Sequence, residues 1–247
     1  MKLILNRKGG ILLLGLSLLP LFLTTIFGGV YFLNFLHLQS QVQKICFTEP
    51  RKTQDVVSER LKSLLSLNPT ARQLKTAETT TRIALSVALR AIPYSAPVVA
   101  RLKLQLAEII RSQIALKIQQ QTLISAASLS MQTALQSTSE NLKSTFNHFG
   151  QNRNWLSVHS HVQTWPNGGL AVEAESSDRA PTYRLKANFE TRQALVHSWH
   201  LTLKVRSWLS NWMDRSLVWN ERCYSTIAKE NNQWIVKSNL GKSSSSH

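Results

Sequence analysis

The chain has 247 residues, 43% of them apolar, and carries 29 Lys and Arg against 13 Asp and Glu, a net charge of +16. Such a length and apolar content build one medium domain or two small ones, which excludes wholesale disorder and a collagen-like repeat; with only two cysteines a disulfide-stapled miniprotein is excluded too. The charge is spread as +3 over residues 1–43, +8 over residues 44–148 (14 basic, 6 acidic) and +5 over residues 149–247 (12 basic, 7 acidic), without the Lys/Arg block of a nucleic-acid-binding arm.

Between Lys8 and Lys44, 35 consecutive residues contain no Asp, Glu, Lys or Arg, and the apolar heart of this run extends from Ile11 to Leu38. About 20 apolar residues cross a bilayer as a helix, so residues 11–38 are expected to form a single transmembrane helix. The competing reading is a cleaved secretory signal. That needs an apolar region of roughly 7 to 15 residues followed by a small-residue cleavage site, whereas this run is longer and no such site follows it. Lys2, Arg7 and Lys8 make residues 1–10 a basic cytoplasmic tail. Lys44, Arg51 and Lys52 on the other flank are nearly as basic, and the shortness of the tail decides the orientation. The remainder is then extracytoplasmic, beyond an inner (cytoplasmic) membrane. Pro20 and the Gly28-Gly29 pair, tolerated in a span, mark either a slightly bent anchor or a face that packs against other membrane helices. Outside the membrane, Cys46 and Cys223 can pair; two buried free thiols fit the sequence equally well.

Residues 39–149 read as helical. The anchor helix turns polar through Gln39–Lys44 and is expected to end at Pro50. Thr53–Leu67 forms an amphipathic helix with Val56, Val57, Leu61, Leu64 and Leu65 on one side. Asn68-Pro69 supplies an N-cap and a first turn for a helix reaching Ile92, which Pro93 and the turn at residues 95–97 break. A third helix follows from Val98 to Phe149, a stretch without Gly or Pro that would measure roughly 78 Å, bent or frayed in its Ser/Thr-rich part at residues 122–139. Its apolar row runs through Leu102, Leu106, Ile110, Ile114 and Ile118 and resumes with Ile124, Ala127, Met131, Leu135, Leu142 and Phe146. The row is either ordinary helix packing or a docking face for a partner helix. Arg101, Lys103, Arg111 and Lys117 read as a solvated face with snorkelling stems; a nucleic-acid stripe would interleave aromatic residues with them.

Composition shifts near Gly150, beyond which all seven tryptophans lie. Residues 150–240 are expected to form a Trp-rich antiparallel β domain packed on the helices, an α+β arrangement, and residues 241–247 a disordered tail. The expected hairpins pair Leu156–Thr164 with Leu170–Glu175 across Pro166–Gly169, Tyr183–Phe189 with Val196–Val205, and Tyr224–Lys229 with Trp234–Lys237 across Asn231-Asn232.

Signs of chemistry are few. His159 and His161 share a strand face, and His197 and His200 lie in the same domain, yet no third ligand stands at a suggestive spacing and solvated strand histidines are the default. Cys-x-x-Cys, His-Glu-x-x-His, nucleophile elbows, phosphate loops and dinucleotide fingerprints are absent. Glu173 and Glu175 read as a polar strand face. No catalytic, metal or cofactor-binding residue is assigned, and the chain reads as non-enzymatic.

The amino-terminal layout Asn6-Arg7-Lys8-Gly9-Gly10-Ile11-Leu12-Leu13-Leu14 resembles that of type IV pilin-like proteins. With Leu18-Leu19-Pro20-Leu21-Phe22 and His37-Leu38-Gln39 it is more similar to TadE/TadG-like proteins of tight-adherence (Flp) pilus systems. The resemblance implies cleavage by a prepilin peptidase after Gly10 or Gly9, a span that packs laterally among similar helices, and a minor-pseudopilin role in pilus or secretion-filament assembly. The implied partners are the membrane and other pilin-like or pilus-assembly proteins in a hetero-oligomer, with no cofactor and no nucleic acid. The glutamate that the family carries early in its apolar segment is absent, Leu14 or Gly15 standing there, and the domain beyond matches no motif. Two further readings accompany it: a generic anchored extracytoplasmic protein, and an envelope-anchored basic module for an acidic ligand such as DNA or anionic polysaccharide.

Overall fold

A computed structural model describes residues 7–90, 96–151, 156–165, 169–205, 217–231 and 233–242. The elements in order are α1 (Arg7–Ser66), α2 (Asn68–Arg90), α3 (Ala96–Gln151), β1 (Leu156–Thr164), β2 (Val172–Ala174), β3 (Tyr183–Leu185), α4 (Phe189–Arg192), β4 (Leu195–Val205), β5 (Leu217–Glu230) and β6 (Gln233–Lys242). The chain divides into two compact units, Met1–Lys44 and Ile45–His247. The first is helical wherever it is described. The second is α+β, an antiparallel sheet on helices.

Pro50 does not end a helix: α1 passes through it without interruption. A proline inside a helix forfeits one backbone bond and crowds the preceding turn, a cost of roughly 3 kcal/mol. Here Pro50 is buried in a row with Cys46, Gln54, Val57, Leu61 and Leu64, each three or four residues from the next. Tertiary packing of that face outweighs the local penalty. Val56, expected on the same side, is exposed.

Only Leu67 separates α1 from α2. Asn68 opens α2, but its side chain is not spent as an N-cap. The Asn68 amide donates to the Tyr183 carbonyl at 2.8 Å and its Oδ1 accepts from the Tyr183 N–H at 2.9 Å, the pairing a neighbouring strand would make. Residues 91–95, with the Pro93 break, lie outside the described residues. Farther on, α3 stays helical through its Ser/Thr-rich part because the hydroxyls fold back on the preceding turn: Thr122 donates to the Ile118 carbonyl, Ser125 to Thr122 and Ser130 to Ala126. Its buried row is Val99, Gln113, Leu116, Gln120, Ala127, Met131, Leu135, Leu142, Phe146 and Phe149. Ile114 and Ile118, expected in that row, are exposed. A strict four-residue step advances 400° and so drifts about 40° per step, which carries these two off the face begun by Leu102.

The sheet has the order β1-β4-β5-β6, all antiparallel, and β2 pairs with β3 in a separate two-stranded sheet. The expected hairpin between Leu156–Thr164 and Leu170–Glu175 is therefore not formed; β1 pairs with β4 from Leu156↔Val205 to Thr164↔His197. Leu195, His197, Trp199, Leu201 and Leu203 of β4 are all buried, and this long alternating face offers β1 far more than the three residues of β2. Gly169 serves a different purpose. Its φ is +99°, and a Cβ there would stand 2.9 Å from Oγ of Ser128 on α3, so the chain needs glycine to approach the helix. The expected pairing of Tyr183–Phe189 with Val196–Val205 also fails. Asn188 adopts a left-handed conformation (φ 56°) and turns the chain into α4, which buries Phe189 edge-on against Trp234 at 6.0 Å. The last hairpin forms, longer than expected, closing on Glu230↔Gln233 with Asn231 in the left-handed region at φ 48°. Gly241 and Lys242, assigned to a disordered tail, continue β6; residues 243–247 lie outside the described residues.

The core sits between the helices and one face of the sheets. Val57, Leu61 and Leu64 of α1 meet Ala127, Met131 and Leu135 of α3, with Leu170, Leu195 and Ile227 closing the cluster. Farther along α3, Phe146 packs against Trp199 and Trp219 at ring distances of 6.4 and 6.5 Å, and the two indoles meet edge-on at 5.7 Å. Cys46 of α1 and Cys223 of β5, both buried, form a disulfide with their Cα atoms 5.9 Å apart. It closes a sequence separation of 177 residues, and loops of this size restrict the unfolded chain enough to stabilise by about 2–5 kcal/mol. Cys46→Ala with Cys223→Ala, or reduction of the native chain, is expected to lower the unfolding free energy in a urea titration by that amount; an unchanged unfolding free energy would show that the crosslink carries no stability.

Candidate functional site

One surface and two cavities stand out, beginning with the amino-terminal part of α1. It is long and apolar enough to cross a membrane by length and composition, with a mean hydropathy of 1.7 over an 18-residue window in which nothing is buried. Leu18, Leu21, Phe22, Ile26, Phe27, Phe32 and Leu33 are exposed, and at 100° per residue they surround the helix rather than striping it. Polar side chains within the run are satisfied internally: Thr24 donates to the Leu21 carbonyl at 2.9 Å, Thr25 to Phe22 at 2.8 Å, and the Asn34 amide to Val30 at 2.8 Å. Pro20 lies inside the helix. A Cβ added at Gly28 or Gly29 would meet nothing within 4 Å, so the small-residue notch they make is open. Gly9 and Gly10 occupy the first turns of α1.

Within the second unit the titratable residues are dispersed. His159, His161 and His200 are exposed on the outer face of the sheet, with His161 opposite His200, while His197 is buried on the inner face. Among the described residues no group of three or more His, Cys, Asp or Glu is placed to hold a metal ion. Glu173 and Glu175 have separate partners: Arg184 directly across the β2–β3 pair at 2.6 Å, and the Thr182 hydroxyl. Glu78 on α2 lies below the usual carboxylate range because the Gln113 amide and then Arg82 donate to it. With Arg179 and the Lys75–Asp178 pair it fixes α2 to the segment around residue 178.

These charges line a cavity of about 360 Å³, where each of the three cations is in an ion pair with one of the two carboxylates. A larger cavity, of about 530 Å³, differs in kind. Trp165, Gly169–Ala171, Lys186, Thr191, Arg192, Ala194, Val196 and Arg222 line it. Three cations face it, no carboxylate does among the described residues, and Trp165 is 55% exposed. No local pattern marks this grouping, because β4, β5 and the segment after Gly169 bring together residues 57 positions apart. Of the seven tryptophans, Trp155, Trp208 and Trp212 lie outside the described residues, and Trp199 and Trp219 are core. Trp165 alone of the described four is more exposed than buried.

No protein-family model, curated protein or solved structure matches the chain.

His197 is the buried titratable group of the sheet. Its Nε2–H donates to the Leu135 carbonyl at 3.1 Å, which fixes the neutral tautomer, and burial holds its pKa below 6.5 against the smaller opposing effect of that bond. As pH falls the unfolded chain takes up this proton first, so stability is full above about pH 6.5 and declines below it. The native chain should lose up to about 1.4 kcal/mol per pH unit through this group. His197→Gln, which keeps a donor for Leu135, should flatten that part of the profile in urea unfolding between pH 7 and 5. Parallel profiles for the two proteins would show that His197 does not titrate on folding.

Proposed function

We propose that the chain is a non-enzymatic, single-pass membrane protein of the bacterial type of envelope, acting as a TadE/TadG-like or minor-pseudopilin-like component of pilus or secretion-filament assembly. The observation that carries this reading is the apolar circumference of α1 from Leu18 to Leu33, bare on every side and with its polar groups bonded within the helix. Water penalises such a surface at about 25 cal/mol per Å², whereas lipid and neighbouring apolar helices do not. In this reading Lys2, Arg7 and Lys8 stay on the cytoplasmic side, and Ile45–His247 works beyond the membrane, where a disulfide such as Cys46–Cys223 persists. Gly28 and Gly29 admit a second span at close range. Gly9 or Gly10 is the cleavage point for a prepilin peptidase. Assembly then proceeds by lateral packing of spans and by docking of the second unit on partner proteins.

Alkaline extraction and amino-terminal sequencing of the mature protein test this. The chain should remain with membranes at high pH and begin at Gly10 or Ile11, and removal of residues 1–38 should move it to the soluble fraction. Extraction of the intact chain by carbonate would end the anchor reading; a mature protein starting at Met1 would end pilin-like processing and leave a generic anchored protein.

The cavity beside Trp165 favours a second reading, an envelope-anchored module for an acidic ligand such as anionic polysaccharide or DNA. Its three cations predict affinity for a polyanion that drops about tenfold or more between 50 and 200 mM salt, and Arg192→Ala with Arg222→Ala should remove most of it. Salt-independent binding, or none at low salt, would dispose of this reading.

A further inference from the structure

The α2–α3 pair leaves a second apolar row uncovered. Toward α2, α3 presents Val99, Leu102, Leu106, Ile110, Gln113 and Leu116, all buried or half-buried. Leu104, Ala107, Arg111, Ile114 and Ile118 lie on another side, turned by roughly 130° at 100° per residue, and all five are exposed, Leu104 by 67% and Ile118 by 58%. Their spacing of 3, 4, 3 and 4 residues is that of a coiled-coil seam. A helix with an inner row already packed has no structural use for an outer one at this spacing.

The charges around the seam select its occupant. From Pro97 to Ile118, α3 carries Arg101, Lys103, Arg111 and Lys117 against Glu108 alone, and none of the five is in an ion pair among the described residues. Arg111 stands in the seam itself. Two copies of this face would oppose like charges, with the Arg111 side chains near each other in an antiparallel pairing. A bilayer surface calls for a broad apolar face, whereas this one is a single line interrupted by a guanidinium. We propose that the outer seam of α3 docks an amphipathic helix of another protein that carries carboxylates beside its apolar line, one of them meeting Arg111. This extends the docking part of the function proposed above. A peptide titration reads α3 and alkaline extraction reads the span, so either can fail while the other stands.

The test uses the full chain in neutral detergent micelles and two synthetic helical peptides with leucine at both seam positions, flanked by glutamate in one and by lysine in the other. The glutamate peptide should bind at least about tenfold more tightly than the lysine peptide at low salt, and the difference should shrink in about 1 M salt, where the Debye length is near 3 Å. Leu104→Ser with Ile118→Ser should weaken the glutamate peptide about tenfold or more. Arg111→Glu should reverse the preference. Ile83→Ser with Val87→Ser, exposed on the outer side of α2, should change nothing. All these positions are exposed, and an unchanged thermal melt certifies the fold. Equal affinity for the two peptides, no binding of either, or indifference to the seam variants overturns the proposal. Dimerisation of the chain that the seam variants abolish would reassign the seam to a second copy, and seam-dependent capture by phosphatidylglycerol but not phosphatidylcholine vesicles would reassign it to lipid; both overturn it.

Discussion

The inner row of α3 is the constraint on which the second unit depends. One helix of 56 residues serves two different surfaces in succession. Its first half meets α2, with Leu116 packed beside Ala71. Its second half covers the sheet, placing Met131 and Leu135 against Leu195 and Phe146 between Trp199 and Trp219. Burial of side chains this size contributes about 1.5–3 kcal/mol each, which no local propensity in this segment approaches. The same row explains why the polar positions within it survive. Gln113 donates to Glu78, and Gln120 to the Pro181 carbonyl at 2.9 Å, so each buried amide ties the helix to a neighbour.

Side-chain amides do similar work wherever the chain lacks regular partners. Gln54 of α1, fully buried, donates to the carbonyls of Gln193 and Ser225 at 3.0 and 3.1 Å, and the Gln193 side chain accepts from the Ala171 N–H at 2.9 Å. Asn68 pairs with Tyr183 as a strand would. These bonds join α1 and α2 to backbone groups of β3, of β5 and of the turn after α4. With the Cys46–Cys223 crosslink they hold α1 to the sheet in two chemically different ways, one of which responds to redox conditions and the other to neither salt nor reductant.

Helices were legible in the sequence and strand pairing was not, for a physical reason. The absence of Gly and Pro from Val98 to Phe149 and the apolar spacing are properties of a local stretch, and α3 follows them. Pro50 is a local breaker, and the buried row on either side of it overrides that signal. Ile114 and Ile118 misled because a four-residue step slips round the helix, and only the partner surface decides where the slip ends. Pairing of β1 with β4 joins residues about 40 apart in a register that no turn signal announces, and the glycine turn at Gly169, which reads locally as a hairpin, serves a close approach to Ser128 instead. The last hairpin succeeded because its turn and its register are both local. The cavity beside Trp165 had no sequence signal at all, being assembled from four separate segments.

The exposed apolar surfaces of α1 and α3 call for different environments, and their shapes say why. On α1 the apolar side chains encircle the helix, and the few polar ones bond inward to the preceding turn, so no direction is reserved for water. On α3 Leu104, Ala107, Ile114 and Ile118 form one exposed line, charged residues border it, and Arg111 interrupts it with a group that has no partner in its own helix. An encircling surface is satisfied by any apolar medium and selects little beyond thickness. A line with a guanidinium in it is satisfied only by a partner that answers the charge at the right position along its length, because leaving that group desolvated and unpaired would cost more than the flanking leucine and isoleucines return. Specificity in the proposed assembly therefore resides in the second unit, and the span supplies location.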